Sequence, residues 1–177
     1  LLRRVLESTP ETTLVVARGG IGPDSAAACV AAGAAGVMLD VQLWCAQDMV
    51  LADDLRARLE NMNPLDTVTF GSGRGLRYRT FGQLATRVVR EIRRHEADET
   101  LGRDELLAVL TERLIQTPTQ VDMGTQLVPL GQDGALAGPM ARRWGTVSGI
   151  IQGVRAVIAE RLQGLSTDWP WAEGGGI

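Results

Sequence analysis

Residues 13–40, "TLVVARGGIGPDSAAACVAAGAAGVMLD", decide how this chain is read. The run "TLVVA" is apolar on both faces and short, which predicts a buried strand over 14–18. Gly19 and Gly20 end it. Asp24 or Ser25 then offers a cap to an alanine-rich helix whose small side chains allow close packing, and Gly33 supplies a left-handed stop. "AGVMLD" follows as a second continuous apolar strand, over 36–40. Two such strands joined by one helix predict a right-handed βαβ unit with its strands parallel and adjacent.

The double glycine leaves two readings open. It presents bare backbone N–H groups at the carboxyl end of a parallel sheet and the start of a helix, where partial positive charge attracts an anion. It serves equally as a tight turn that needs glycine only for its dihedral angles.

On the N-terminal side, "LLRRVLEST" reads as a helix with Leu2, Val5 and Leu6 inward, stopped before Pro10. On the other side, "VQLWCAQ" (41–47) reads as the start of a helix, and Asp53 and Asp54 as caps of the next one. "TVTFGSGRGLRYRTF" (67–81) has β-formers on both sides of a glycine-rich turn and predicts a hairpin. Its "GSGRG" departs from GxGxxG because Leu76 stands where the last glycine belongs.

Helical periodicity returns over 83–95, with Leu84, Val88, Val89 and Ile92 on one face and Arg87, Arg90, Arg93 and Arg94 largely on the other. It repeats over 103–116 through Leu106, Leu107, Leu110 and Leu114. A polar connector leads to "ALAGPMARRWG" and a last helix in which Gly149 and Gly153 form a small-xxx-small step that admits a close neighbour.

Composition narrows the function classes. A net charge of −3 argues against bulk nucleic-acid binding, which needs a positive field. The apolar run 26–39 falls short of the roughly 18 residues of a membrane span, and Arg155 and Glu160 exclude that reading for the last helix. Cys29 and Cys45 lack CxxC spacing and no signal-like leader is present, so the chain reads as cytoplasmic. His95 is the one histidine and sits in "RRHEADE", a solvated helix end. The pattern offers no catalytic triad and no metal cluster. A start on "LLRRVLESTP" and an end on "WAEGGGI" predict a piece of a longer polypeptide.

"VVARGGIGPDSAAACVAAGAAGVMLDVQL" (15–43) resembles the last two βα units of the nitronate monooxygenase and 2-nitropropane dioxygenase-like flavin barrels, a superfamily that includes the enoyl reductase of bacterial polyunsaturated fatty acid synthases. "LVPLGQDGALAGPMARRWGTVSGIIQGVRAVI" (127–158) is similar to a connector that follows such barrels in very large bacterial polyketide and fatty acid synthase-like proteins. The resemblance implies an α/β fold: the C-terminal βα units of a TIM-type (β/α)8 barrel in 1–63, a β-hairpin in 64–81 and a helical extension in 82–177. It also implies that the last two βα loops hold an FMN phosphate, the usual phosphate position in such barrels.

By that resemblance Gly19 and Gly20 match the first phosphate loop. The second, commonly a Gly-Thr-Arg-like turn, falls on Asp40, Val41 and Gln42. The expected cofactor-binding residues are therefore Gly19, Gly20, Asp40 and Val41, and earlier strands would supply the catalytic residues. A carboxylate beside a phosphate is repulsive unless a cation intervenes, so Asp40 is expected to weaken the site. The implied function is FMN redox work on a nitronate or enoyl thioester by the whole barrel, inside a multidomain lipid or polyketide synthase. The chain alone is expected to carry only the phosphate end and no flavin. The alternative is a degenerate barrel acting as a structural or docking element, its arginine face meeting neighbouring domains or an acyl carrier protein.

Overall fold

The apolar runs become strands in the computed structural model, which describes residues 1–82, 86–98 and 100–167. After helix α1 (Leu2–Ser8), β1 (Val16–Arg18) and β2 (Gly36–Met38) pair in parallel across helix α2 (Pro23–Ala31), with Val16 opposite Gly36 and Arg18 opposite Met38. The βαβ expectation holds. Capping of α2 differs in detail from the sequence reading. Pro23 opens the helix with its preset φ, and Ser25 reaches back so that its Oγ accepts the Gly22 N–H at 2.8 Å. Asp24 instead pairs with Arg161 at 3.0 Å.

Residues 41–47 do not start an α-helix. They form a tight 3-10 turn, Val41–Leu43, continued by further three-residue bonds such as Ala46 N–H to Leu43 C=O. The cause is Gln42, whose side chain captures backbone groups that a regular helix would leave to solvent. Helix α3 (Asp53–Glu60) follows, preceded by Ala52 at the cap position; Asp53 and Asp54 lie inside its first turn, where their charge meets the helix dipole.

The hairpin forms between β3 (Thr67–Phe70) and β4 (Tyr78–Phe81), antiparallel with Phe70 opposite Tyr78. Its loop needs glycine at Gly71, where φ is +76° and a Cβ would lie 2.4 Å from that of Leu76. Helices α4 (Arg87–Ala97), α5 (Arg103–Glu112), α6 (Ala137–Trp144) and α7 (Val147–Thr167) follow among the described residues. The expected start of α4 at 83, and Leu84, fall outside the described residues. Helix α5 ends earlier than expected because residues 113–115 bond to the connector: Leu127 N–H donates to Arg113 C=O, and Ile115 N–H to Leu127 C=O.

Three apolar cores result. Val68, Phe70, Leu76, Val88, Val89, Ile92, Leu106 and Leu110 pack the hairpin onto α4 and α5. Leu107 and Val5, both expected inward, are exposed: Leu107 lies to the side of the Leu106 and Leu110 stripe, and α1 buries no residue fully, its Leu2 and Leu6 being half-buried. A second core joins Val41, Cys45, Leu55, Leu59, Phe81 and Val128 and so links strand mouth, α3 and hairpin. The third packs Ile21, Ala26, Ala46, Met140, Ile150 and Val154 beneath the parallel strands. The small step on α7 receives Trp144 of α6: a Cβ on Gly153 would meet the indole at 2.2 Å. Among the described residues no helix is long and apolar enough to cross a membrane.

Candidate functional site

The carboxyl ends of β1 and β2 open on a cleft of about 210 Å³ lined by Arg18, Gly19, Asp40, Val41, Gln42 and Asp133, among others. Alternation along the strands explains who faces it. Ala17 and Val37 point into the core beneath α2 and α7, which turns their neighbours Val16, Arg18 and Met38 to the opposite face. Gly19 and Gly20 both take positive φ, +86° and +65°, and a Cβ on either would meet nothing within 4 Å. Their glycine requirement is therefore one of dihedral angle, not of space.

The two loops are tied by Gln42, which is 1% exposed. Its Oε1 accepts the Asp40 N–H at 2.8 Å and its Nε2 donates to Ile21 C=O at 3.1 Å, so one buried amide fixes the second loop against the first. Within the first loop, Ser25 donates to Gly20 C=O at 3.1 Å. Val41 lines the cleft, yet its side chain is buried in the core with Leu55 and Leu59.

Charge in the cleft differs from the sequence expectation. Asp40 does not stand unneutralised: the Arg18 guanidinium donates to its carboxylate, an ion pair more than half exposed on both sides. Such a solvated pair contributes little stability, about 0–1 kcal/mol, and leaves Arg18 available for exchange. The Gly20 N–H, the group best placed for an anion, already donates to Asp133 Oδ2 at 3.3 Å. Asp133 arrives from the connector, whose 3-10 turn Gln132–Leu136 precedes α6.

All four expected residues gather here: Gly19, Asp40 and Val41 line the cleft, and Gly20 reaches it through Asp133. Three further residues shape it. Arg18 was adjacent to the double glycine in sequence, and its place opposite Met38 follows from strand register. Gln42 was visible as a lone amide in the otherwise apolar "VQLWCA". Asp133 lies too far along the chain for any local pattern to bring it here. Elsewhere, His95 sits in the last turn of α4, and the described residues hold no cluster of three or more His, Cys, Asp or Glu arranged for a metal.

No family model matches this sequence, and no curated protein does. Among solved structures the chain is similar to FabK from Thermotoga maritima, with a TM-score of 0.74 and 21% identity, over 93% of this chain and 50% of that one. A methionine-to-alanine mutant of the same FabK gives a TM-score of 0.64 and 19% identity, over 93% and 48% of the two chains. At this identity the likeness establishes the fold. The chain has an α/β fold shared with FabK and spans about half the length of the solved chains it matches.

Proposed function

We propose that this chain is the C-terminal part of an FMN-type barrel of the enoyl reductase and nitronate monooxygenase kind, and that it carries the phosphate end of the flavin site. The observation that carries the reading is the bare face of the parallel sheet. Val16 is 53% and Met38 49% exposed, and Leu14 beside them is exposed as well, while the other face is covered by α2 and α7. Parallel sheets are stable when covered on both faces, so this pair calls for further strands, as barrel closure would provide. Similarity to FabK, an FMN-dependent enoyl-acyl carrier protein reductase, supports the same reading by fold-level analogy.

The cleft fits a phosphate better than a flavin. Its volume of about 210 Å³ lies below the roughly 300 Å³ and more of sites that enclose such cofactors. Here FMN would be held through the backbone of Gly19 and Gly20 and the guanidinium of Arg18, and the isoalloxazine ring would rest on strands outside this chain. When bound, the flavin supplies the redox chemistry; these residues bind and orient its phosphate. In this reading the host is a multidomain lipid or polyketide synthase, and the exposed Arg87, Arg90 and Arg94 of α4 face an acidic partner such as an acyl carrier protein.

Carboxylates at the cleft favour a second reading, in which the barrel is degenerate and serves as a structural or docking element. A visible absorption spectrum of the complete polypeptide separates the two. Stoichiometric FMN supports the first, and a colourless, folded protein that takes up no added FMN supports the second.

A further inference from the structure

We propose that Asp133 is a built-in occupant of the anion cradle and sets how tightly the cradle holds a phosphate; this rests on the phosphate reading of Gly19 and Gly20 given above. One of its carboxylate oxygens, Oδ2, accepts the Gly20 N–H at 3.3 Å, the bond an incoming phosphate oxygen would take. The two acidic residues at the cleft differ in an important way. Asp40 carries its own counter-ion in Arg18, whereas among the described residues the Asp133 carboxylate forms no ion pair and accepts from the Gly20 amide. A phosphate reaching Gly20 must therefore displace an unneutralised carboxylate and then sit beside it.

The segment that brings Asp133 here is held at both ends. Leu130 is buried in the core with Leu55 and Leu59, and Leu136 packs 3.5 Å from where a Cβ on Gly22 would lie. Between them, a Cβ on Gly134 would meet Leu130 at 2.8 Å and the Met62 sulfur at 2.9 Å. The main chain thus cannot swing away without opening two cores. The side chain can turn. It folds back over Gly131, where a Cβ would lie 2.6 Å from Asp133 Oδ1, so the glycine at 131 makes room for this one carboxylate pose. Rotation about the Asp133 side-chain bonds is enough to vacate the Gly20 amide, and the Arg18 guanidinium, held only by a solvated pair, can then transfer from Asp40 to the phosphate.

The test titrates inorganic phosphate at constant ionic strength into the isotope-labelled chain and into Asp133→Asn, which keeps the size and the acceptor but removes the charge. The readouts are the Gly20 amide resonance and, in the unmutated chain, the Asp133 side-chain carbonyl carbon. Removing a like charge at roughly 4 Å should tighten phosphate binding at Gly20 by on the order of tenfold, and the Asp133 carbon should move in step with the Gly20 amide. A response in the variant with none in the unmutated chain also supports the proposal. Equal affinities, or a Gly20 response with a stationary Asp133 carbon, would overturn it while leaving the cradle intact. Silence at Gly20 in both proteins sinks the phosphate reading itself, and this proposal with it.

Discussion

Strands β3 and β4 present one face to α4 and α5 and on the other carry Thr67, Thr69 and Arg79, with Phe81 alone entering the joining core, whereas β1 and β2 cover one face with helices and leave Val16 and Met38 on the other about half exposed. The hairpin draws its covering from α4 and α5 and from Leu127 of the connector, so its core is closed by described residues of the chain. The parallel pair half-buries Ala17 and Val37 beneath α2 and α7, but leaves Val16 and Met38 about half exposed among the described residues. An antiparallel hairpin tolerates one solvated face; a parallel pair does not, because its apolar residues occur on both sides. In the proposed barrel the difference marks where further strands would pack, and substitutions in the two regions should respond accordingly.

The largest effect should come from the complete core. Phe70 is fully buried between the hairpin and the two helices, with the Arg93 guanidinium 5.0 Å from its ring centroid. Phe70→Ala should cost about 3–5 kcal/mol in a urea denaturation series. A loss below 1 kcal/mol would mean that the hairpin core is loose, and the contrast between the regions would collapse.

Next comes the core that joins them. Cys45 is buried there with Leu55 and Phe81, and burial, with a smaller contribution from Glu60, pushes its thiol from 9.0 up to about 11. The folded chain keeps this proton while the unfolded chain loses it, so the contribution is fully present below pH 9 and is lost as the pH rises from 9 to 11. On the order of 2–3 kcal/mol of stability should disappear across that window. In Cys45→Ala this part of the loss should be absent, and parallel pH curves for the two proteins would show that the joining core admits water. Burial raises Tyr78 as well, and its contribution is common to both proteins.

A smaller effect is expected at Gln42. Gln42→Leu preserves bulk but leaves the Asp40 N–H and Ile21 C=O without their partner, a loss of about 1–3 kcal/mol. Faster hydrogen exchange at the Asp40 amide should accompany it. Unchanged exchange would show that the loops hold their positions without this tie.

How much of this was legible in sequence follows from the range of each interaction. The parallel βαβ unit, the hairpin and the buried faces of α4 and α5 were readable because periodicity and glycine placement act within a few residues; the strands themselves are shorter than the expected 14–18 and 36–40, and Leu14 and Val16, expected buried, are exposed. The break at 41–47 was misread because "VQLWCAQ" has helical composition, and only the neighbouring Ile21 carbonyl turns Gln42 into a cross-link. In the cleft, Gly19 and Gly20 were open to two readings from the local pattern and were assigned to the phosphate by resemblance, as were Asp40 and Val41. The pairing of Arg18 with Asp40 needed strand register, and Asp133 needed the whole course of the connector, which no local pattern encodes.

The smallest expected effect tests the bare face most directly. Val16→Thr and Met38→Gln each place a polar group where the chain leaves the side chain half open to water, so in the 177-residue protein each should change stability by no more than about 0.5 kcal/mol. In a longer polypeptide whose further strands close over this face, the same hydroxyl or amide would be buried among apolar side chains without a designated partner. The expected loss there is about 1–3 kcal/mol per substitution. The informative quantity is therefore the difference between the two settings, measured by the same denaturation assay. A loss above 1 kcal/mol in the short chain that grows with protein concentration would mean that copies of the chain already cover the face. Neutral behaviour in both settings would mean that the face never becomes an interior, and the barrel reading would lose the observation that carries it.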